Sequence, residues 1–284
     1  MNQPFMLPEE AGPVLLLDRS TELHVHDVLG SFALDELLGR QTGMGGPAIC
    51  HIWRHPQAFV MGVRDSRLPF AEQAAVHLRR QGYDTAVRHS GGAAVPLDAG
   101  VVNLSLILPL GSGKENRDFH PAFQWMAELI SEALKETGRR VDTGEIKGAF
   151  CPGTFDLSIN GRKFCGIAQR RQSKALIVQA FVICEGSGSE RAALVRSFYN
   201  QAAESVDLGD YPQVVSESTA SLQELAGMGS LASLNFTNLI KGIIRGQQDH
   251  YGPSAMEDAA SRLQLPSPEV LSEMTSSLRQ RYTS

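Results

Sequence analysis

The chain has no long apolar run, no excess of positive charge and no paired cysteines at metal-binding spacing. Its longest apolar stretch, around Ala175 to Cys184, is interrupted by Gln179 and falls short of the roughly 20 residues a membrane-spanning helix needs. The N-terminal MNQPFMLPEEAGPVLLLD lacks a basic leader and places two glutamates where a secretory signal is apolar, so a cytoplasmic protein is expected. A formal net charge of −5 argues against a dedicated nucleic-acid binder, although it leaves room for a local basic patch. The four cysteines, Cys50, Cys151, Cys165 and Cys184, contain no CxxC pair. In a reducing compartment they are expected as free thiols, which argues against a disulfide framework, and the missing CxxC pair argues against structural zinc. Internal repeats and low-complexity tracts are absent as well.

What is present fits one large domain or two modest ones in 284 residues. Ser31 to Arg40 reads as a short amphipathic helix with Leu34, Leu37 and Leu38 on one face. Ala48 to Gly62 reads as two strands joined at His55-Pro56, because proline suits a turn and not a central strand. Tyr83 to His89 is a further strand. Val101 to Leu108 alternates Leu104, Leu106 and Leu108 with Asn103 and Ser105, the period of a half-buried strand. Pro121 to Thr137 is the clearest helix, with Phe123, Met126, Ile130 and Leu134 as its core stripe and Gly138 as its stop. A strand meander follows from Thr154 to Cys184, and helical segments from Ser189 onward. Without regular βαβ alternation, the order predicts an α+β fold with mixed or antiparallel sheets flanked by helices, rather than a doubly wound sheet. Residues 1–44 are expected as a strand and helix packing on the core, 45–245 as the catalytic domain and 246–284 as a helical C-terminal segment.

Asn160-Gly161 between two strand-like runs signals a type I′ hairpin. A two-residue loop pairs Ile159 with Arg162, Ser158 with Lys163, Leu157 with Phe164 and Asp156 with Cys165. Asp156, Ser158, Lys163 and Cys165 then share one face, and Leu157, Ile159, Phe164 and Gly166 the other. The polar face reads either as the wall of a site or as a solvated surface with a Lys–Asp contact. Cys151 precedes this hairpin by a Pro-Gly turn that can fold its thiol over the polar face. There it is either a nucleophile, activated by a positive charge such as Lys163, or a small inert side chain. Cys165, Cys50 and Cys184 fall in apolar strand runs and read as core.

The run RHSGGAAVPLDAGVVNLSL, Arg88 to Leu106, carries paired glycines directly after a strand. Such a loop points N–H groups at an anion or carbonyl, but a tight turn explains it equally well, and neither nucleotide-binding glycine motif is present. His24 and His26 would share a strand face, yet no third metal ligand is evident nearby. Arg170, Arg171 and Lys174 read as a solvated turn or as a docking patch for an acidic partner.

In this order, RHSGGAAVPLDAGVVNLSL, CPGTFDLS and INGRKFCGIAQRR resemble the biotin/lipoate protein ligase and lipoyl-transferase superfamily over about residues 45 to 245. The lysine of GRK assigns Lys163 to the site. ATP-dependent lipoate ligases have a third glycine in the loop and a histidine before the aspartate, where this chain has Ala93 and Leu97. The CPGTFDLS string instead is similar to the octanoyl-H-protein:protein N-octanoyltransferases, the lipoyl amidotransferases. That resemblance implies that Cys151 forms an acyl thioester and that Lys163 depresses its pKa and contacts the oxyanion. It also implies that Arg88, Ser90, Gly91, Gly92, Asp98, Asp156 and Gly166 bind substrate. The donor it implies is the octanoyl-lysine of the glycine cleavage H protein, and the acceptor is the lipoyl domain of 2-oxoacid dehydrogenase E2 subunits. No cofactor, metal, nucleic acid or membrane is implied. An acyl-carrier-protein octanoyltransferase, an ATP-dependent ligase and a non-catalytic carrier-domain binder stand as alternatives.

Overall fold

The two apolar strands that meet at His55-Pro56 belong to different sheets, and this crossing sets the architecture. The computed structural model describes residues 5–24, 27–110, 120–172, 174–204 and 211–281. Strands β1 (Val14–Arg19), β2 (Ala48–Trp53), β6 (Val101–Pro109), β7 (Asp142–Thr143), β8 (Leu157–Ile159), β9 (Arg162–Gln172) and β10 (Ala175–Ile183) form a seven-stranded sheet in the order β1-β2-β6-β10-β9-β8-β7. Strands β3 (Gln57–Met61), β4 (Asp84–Val87) and β5 (Val95–Asp98) form a three-stranded sheet in the order β4-β3-β5. Each sheet contains one parallel pair, β1 with β2 and β3 with β4, and is otherwise antiparallel. The fold is α+β.

Helices cover both sheets. On one face of the large sheet, Leu34 and Leu38 of α1 (Leu29–Gly43) pack on Ile49, Ile107 and Ile177. The other face packs under α3 (His120–Leu134) and α6 (Ala232–Tyr251), where Met126, Ile130, Phe236 and Ile240 meet Leu104, Leu106, Val178 and Val182. Each such buried aliphatic or aromatic side chain contributes about 1.5–3 kcal/mol. The small sheet packs on α2 (Ala71–Arg80) and α4 (Gly188–Ala202), with Phe59 and Phe198 4.8 Å apart. Beyond the short α5 (Leu222–Ala226), α7 (Pro253–Ser261) and α8 (Pro268–Gln280) follow α6, and α8 returns to lie on α1. Among the described residues no helix is long and apolar enough to cross a membrane.

Three expectations need correction. Strand β6 is buried on both faces, with Asn103 at 6% and Ser105 at 1% exposure. Alternation marked a polar face correctly, but that face is covered because its polar groups find partners inside the protein. Helix α1 is longer than Ser31 to Arg40 and buries Asp35 and Glu36 along with Leu34 and Leu38, while Leu37 is only half-buried.

The third correction concerns the hairpin. Asn160 and Gly161 have φ of +52° and +72°, as a type I′ turn requires. Ile159 pairs with Arg162 and Ser158 with Lys163, as expected. A β-bulge then shifts the register so that Leu157 opposes Cys165, not Phe164. The extra residue exchanges the two faces beyond it. Cys165 therefore turns into the core beside Leu157 and Phe164. Gly166 turns toward Lys163, whose Nζ would lie 3.2 Å from a Cβ placed there.

Candidate active site

Cys151 has φ of +47°, a left-handed conformation that side-chain-bearing residues rarely hold. The residue is 8% exposed, and its thiol lies against the glycine loop between β4 and β5. The Arg88 guanidinium donates to Sγ at 3.2 Å and the Ala93 N–H at 3.3 Å. Arg88 also fastens the loop, donating to the carbonyls of Ala93 (2.6 Å), Gly91 (3.3 Å) and Val60 (3.4 Å). Gly92 has φ of +99°, and a Cβ there would sit 2.7 Å from Sγ. Glycine is needed at that position for both reasons.

Lys163 is fully buried beneath this turn. Its ammonium donates to the carbonyls of Phe150 (2.9 Å) and Cys151, and forms an ion pair with Asp156 at 2.9 Å. Asp156 in turn accepts from the Gly153 N–H at 3.1 Å, closing the CPG turn. The lysine is thus aimed at the backbone of Cys151, and the cation beside the sulfur is Arg88. Burial pushes the Asp156 carboxyl up to about 6, opposed by the Lys163 ammonium. Burial also raises the other three thiols, Cys50 to about 12, which makes them poor nucleophiles.

Cys151 opens on a cavity of about 250 Å³ between the two sheets. Val60, Val95 and Leu97 of the small sheet form one wall, and Asn103, Gly166 and Phe181 of the large sheet another. Exposed Pro152 and Thr154 line it together with half-buried Phe123 and Phe155, whose rings stack at 4.7 Å. Phe123 therefore belongs to the cavity rather than to the core stripe of α3.

Of the residues expected in the site, Arg88, Ser90, Gly91, Gly92, Cys151 and Gly166 line the cavity. Lys163 and Asp156 lie directly behind Cys151. Asp98 is elsewhere: both its oxygens are held by Arg191, at 2.6 and 2.8 Å, fastening α4 to the end of β5. Arg170 pairs with Glu36 at 2.6 Å. His26 lies outside the described residues, and among those described no three His, Cys, Asp or Glu side chains gather to hold a metal.

A support for the glycine loop went unread in the sequence. The Ala94 N–H donates to Tyr199 Oη at 3.2 Å, Tyr199 donates to Asp65 at 2.8 Å, and Asp65 accepts from the Gly62 N–H at 2.7 Å. Burial raises both Asp65 and Tyr199, so the phenol stays protonated and donating. A Cβ on Gly62 would meet the Gly92 carbonyl at 2.1 Å. Tyr199 and Asp65 stand 134 positions apart, and no local pattern connects them.

Residues 27–241 match the family described as the lipoyl protein ligase A/B catalytic domain. The chain is 44% identical over 202 residues to an octanoyl-[GcvH]:protein N-octanoyltransferase of Anoxybacillus flavithermus, covering 70% of this chain and 72% of that protein. It is 38% identical over 249 residues to a protein of the same description from Geobacillus kaustophilus, covering 86% of each. In fold it is similar to a lipoate-protein ligase A bound with ATP (TM-score 0.62, 17% identity, 96% of each chain). It is likewise similar to a bipartite lipoate protein ligase of Thermoplasma acidophilum (TM-score 0.60, 18% identity, 96% of this chain and 94% of that one).

Proposed function

This chain belongs to the lipoyl protein ligase A/B catalytic-domain family, and we propose that within it the chain is an octanoyltransferase working through a thioester on Cys151. Its donor on this reading is the octanoyl-lysine of the glycine cleavage H protein, in line with the description of its relatives. The acceptor is the lysine of an E2 lipoyl domain. The observation that carries the reading is the setting of one sulfur. Cys151 is held in a strained backbone conformation at the wall of an apolar cavity, with a guanidinium and an N–H on Sγ.

The Cys151 sulfur attacks the octanoyl amide carbonyl, the C–N bond breaks, and the thiol proton ends on the departing H-protein lysine. The acceptor lysine then attacks the thioester, forms a new amide and returns the proton to sulfur. One amide is broken and one made, so no ATP enters the balance. Arg88 and the Ala93 N–H hold negative charge on the sulfur as it leaves or attacks. Lys163 holds the Phe150 and Cys151 carbonyls, which keeps the sulfur at the loop; a displacement of about 1 Å there can cost roughly 100-fold in rate. The octanoyl chain lies on Val60, Val95, Leu97 and Phe181, each buried methylene contributing about 0.8 kcal/mol, and the bound chain against these apolar walls keeps water from the thioester.

Intact-mass spectrometry tests this. Octanoyl-H protein without ATP is expected to add one octanoyl group to the wild type and none to Cys151→Ser. The adduct is expected to be hydroxylamine-labile and to pass to an apo E2 domain. Acylation that requires ATP and free octanoate, with Cys151→Ser fully active, would assign the chain to ATP-dependent ligation instead.

A further inference from the structure

The cavity ends against α1 in a way its other walls do not share. Strand register sets Trp53, Asn103, Phe181 and Gly166 side by side across β2, β6, β10 and β9. Two residues along each strand, His51, Ser105, Gln179 and Ala168 form the next row, and Ile49, Ile107, Ile177 and Arg170 the one after. The cavity takes in the first row and then Ser105, Ala168 and Gln179 of the second; Ile107 and Ile177 beyond lie packed under Leu34 and Leu38. A polar belt thus separates an apolar-walled cavity from an apolar core.

The belt is tied to one carboxylate on α1. Ser105 Oγ donates to Asp35 Oδ2 at 2.6 Å, Gln179 Nε2 donates to the same oxygen at 2.7 Å, and His51 Nδ1 lies 2.8 Å from Oδ1. Asp35 and His51 are 1% and 0% exposed and sit behind the wall that Ser105 and Gln179 present. Nothing in the transfer chemistry uses this cluster. As a way to fill space it is expensive, since a buried carboxylate keeps its place only while donors surround it.

We propose that Asp35, through Ser105 and Gln179, is the stop that sets the length of acyl chain the cavity accepts. The inference rests on the octanoyl-transfer reading and adds to it the selection of the acyl group. A chain that ends at the belt is buried wholly against apolar walls. A longer one must push Gln179 or Ser105 off Asp35 and leave the carboxylate short of a donor inside the protein. Discrimination of about 10-fold or more per misfitting step is the range expected when the pocket wall cannot yield. Ser105 and Gln179 touch the chain end; Asp35 acts through them as a positioning residue.

The experiment is an internal competition. Wild type, Gln179→Ala and Asp35→Asn are each mixed with equal amounts of octanoyl-lysine and decanoyl-lysine H protein, and the two adducts on Cys151 are compared in one mass spectrum. The ratio is internal to each sample, so a loss of folded protein does not enter it. The wild type is expected to favour octanoyl by about 10-fold or more. Gln179→Ala, which opens room, and Asp35→Asn, which weakens the belt without opening room, are both expected to bring the ratio within about threefold of unity. A wild type that loads decanoyl equally, or variants that keep the wild-type ratio, would overturn the length stop while leaving octanoyl transfer intact. A wild type that takes no acyl group from either donor would instead overturn the transfer reading, and this inference with it.

Discussion

At the scale of the residue, the two cations near Cys151 divide the work that the sequence gives to one. Arg88 meets the sulfur, whereas Lys163 meets the backbone that carries it, with Asp156 as its counter-charge. This pair has a consequence for stability. The Asp156 carboxyl is raised to about 6 in the folded protein, chiefly by burial, against 3.8 for the free side chain. The folded state therefore binds the proton more tightly than the unfolded state. Between about pH 4 and pH 6 it carries more bound protons, so this group's contribution falls as pH rises and levels off above about 6. Urea midpoints of the wild type are expected to fall across that window more steeply than those of Asp156→Asn, which has no proton to lose. Parallel curves would show that Asp156 ionises as an ordinary carboxylate. Much of this site was legible: the CPG turn and the GRK lysine stand close in sequence, and a hairpin brings them together. Arg88 was expected only to bind substrate: its contact with the sulfur spans 63 positions, and the bond from Tyr199 to Asp65 spans 134, so neither leaves a local spacing.

At the scale of the element, the β8–β9 hairpin shows which parts of an arrangement local chemistry dictates. Asn160-Gly161 prescribes the turn, and the turn prescribes the first two pairs. Gly161 holds φ of +72°, a left-handed conformation that is a strained outlier for a β-branched residue, although nothing lies within 4 Å of a Cβ placed there. Gly161→Val is expected to destabilise the protein by about 1–2 kcal/mol and to lower octanoyl transfer, because Lys163 lies two residues away. Equal urea midpoints for the two proteins would show that the strands, and not the turn, hold this register. The bulge between Leu157 and Ser158 leaves no local signal, since it answers to tertiary demands: Cys165 in the core and a glycine between Phe181 and Lys163. Pro56 marked a turn correctly, but which sheet each flanking strand joins depends on partners arriving later in the chain. Strand β6 likewise showed its polar face in Asn103 and Ser105, while the Asp35 that buries one of them lies 70 residues away on α1.

At the scale of the whole molecule, the cavity has one wall from each sheet, so whatever fixes the sheets relative to one another fixes the cavity. Part of that fixing comes from outside residues 27–241. Arg279 near the end of α8 donates to Asp27 at 2.6 and 3.0 Å, just before α1 begins, and to the Thr85 carbonyl of β4 at 2.9 Å. Asp84 of β4 accepts from the Val28 N–H at 2.6 Å, and Leu278 is buried at the same junction. The last helix therefore joins the helix that covers the large sheet to the edge of the small one. Arg279 is 38% exposed, so water screens its charge, and the hydrogen bonds are what count. Arg279→Met, which keeps the aliphatic stem, is expected to cost about 1–2 kcal/mol in urea unfolding. It supplies no atom to the cavity, so octanoyl transfer by the folded protein at room temperature is expected to stay within about twofold of wild type. A variant as stable as the wild type would mean that α8 rests on the fold without holding it. A variant that folds normally but transfers poorly would mean instead that the junction tunes the spacing of the two walls.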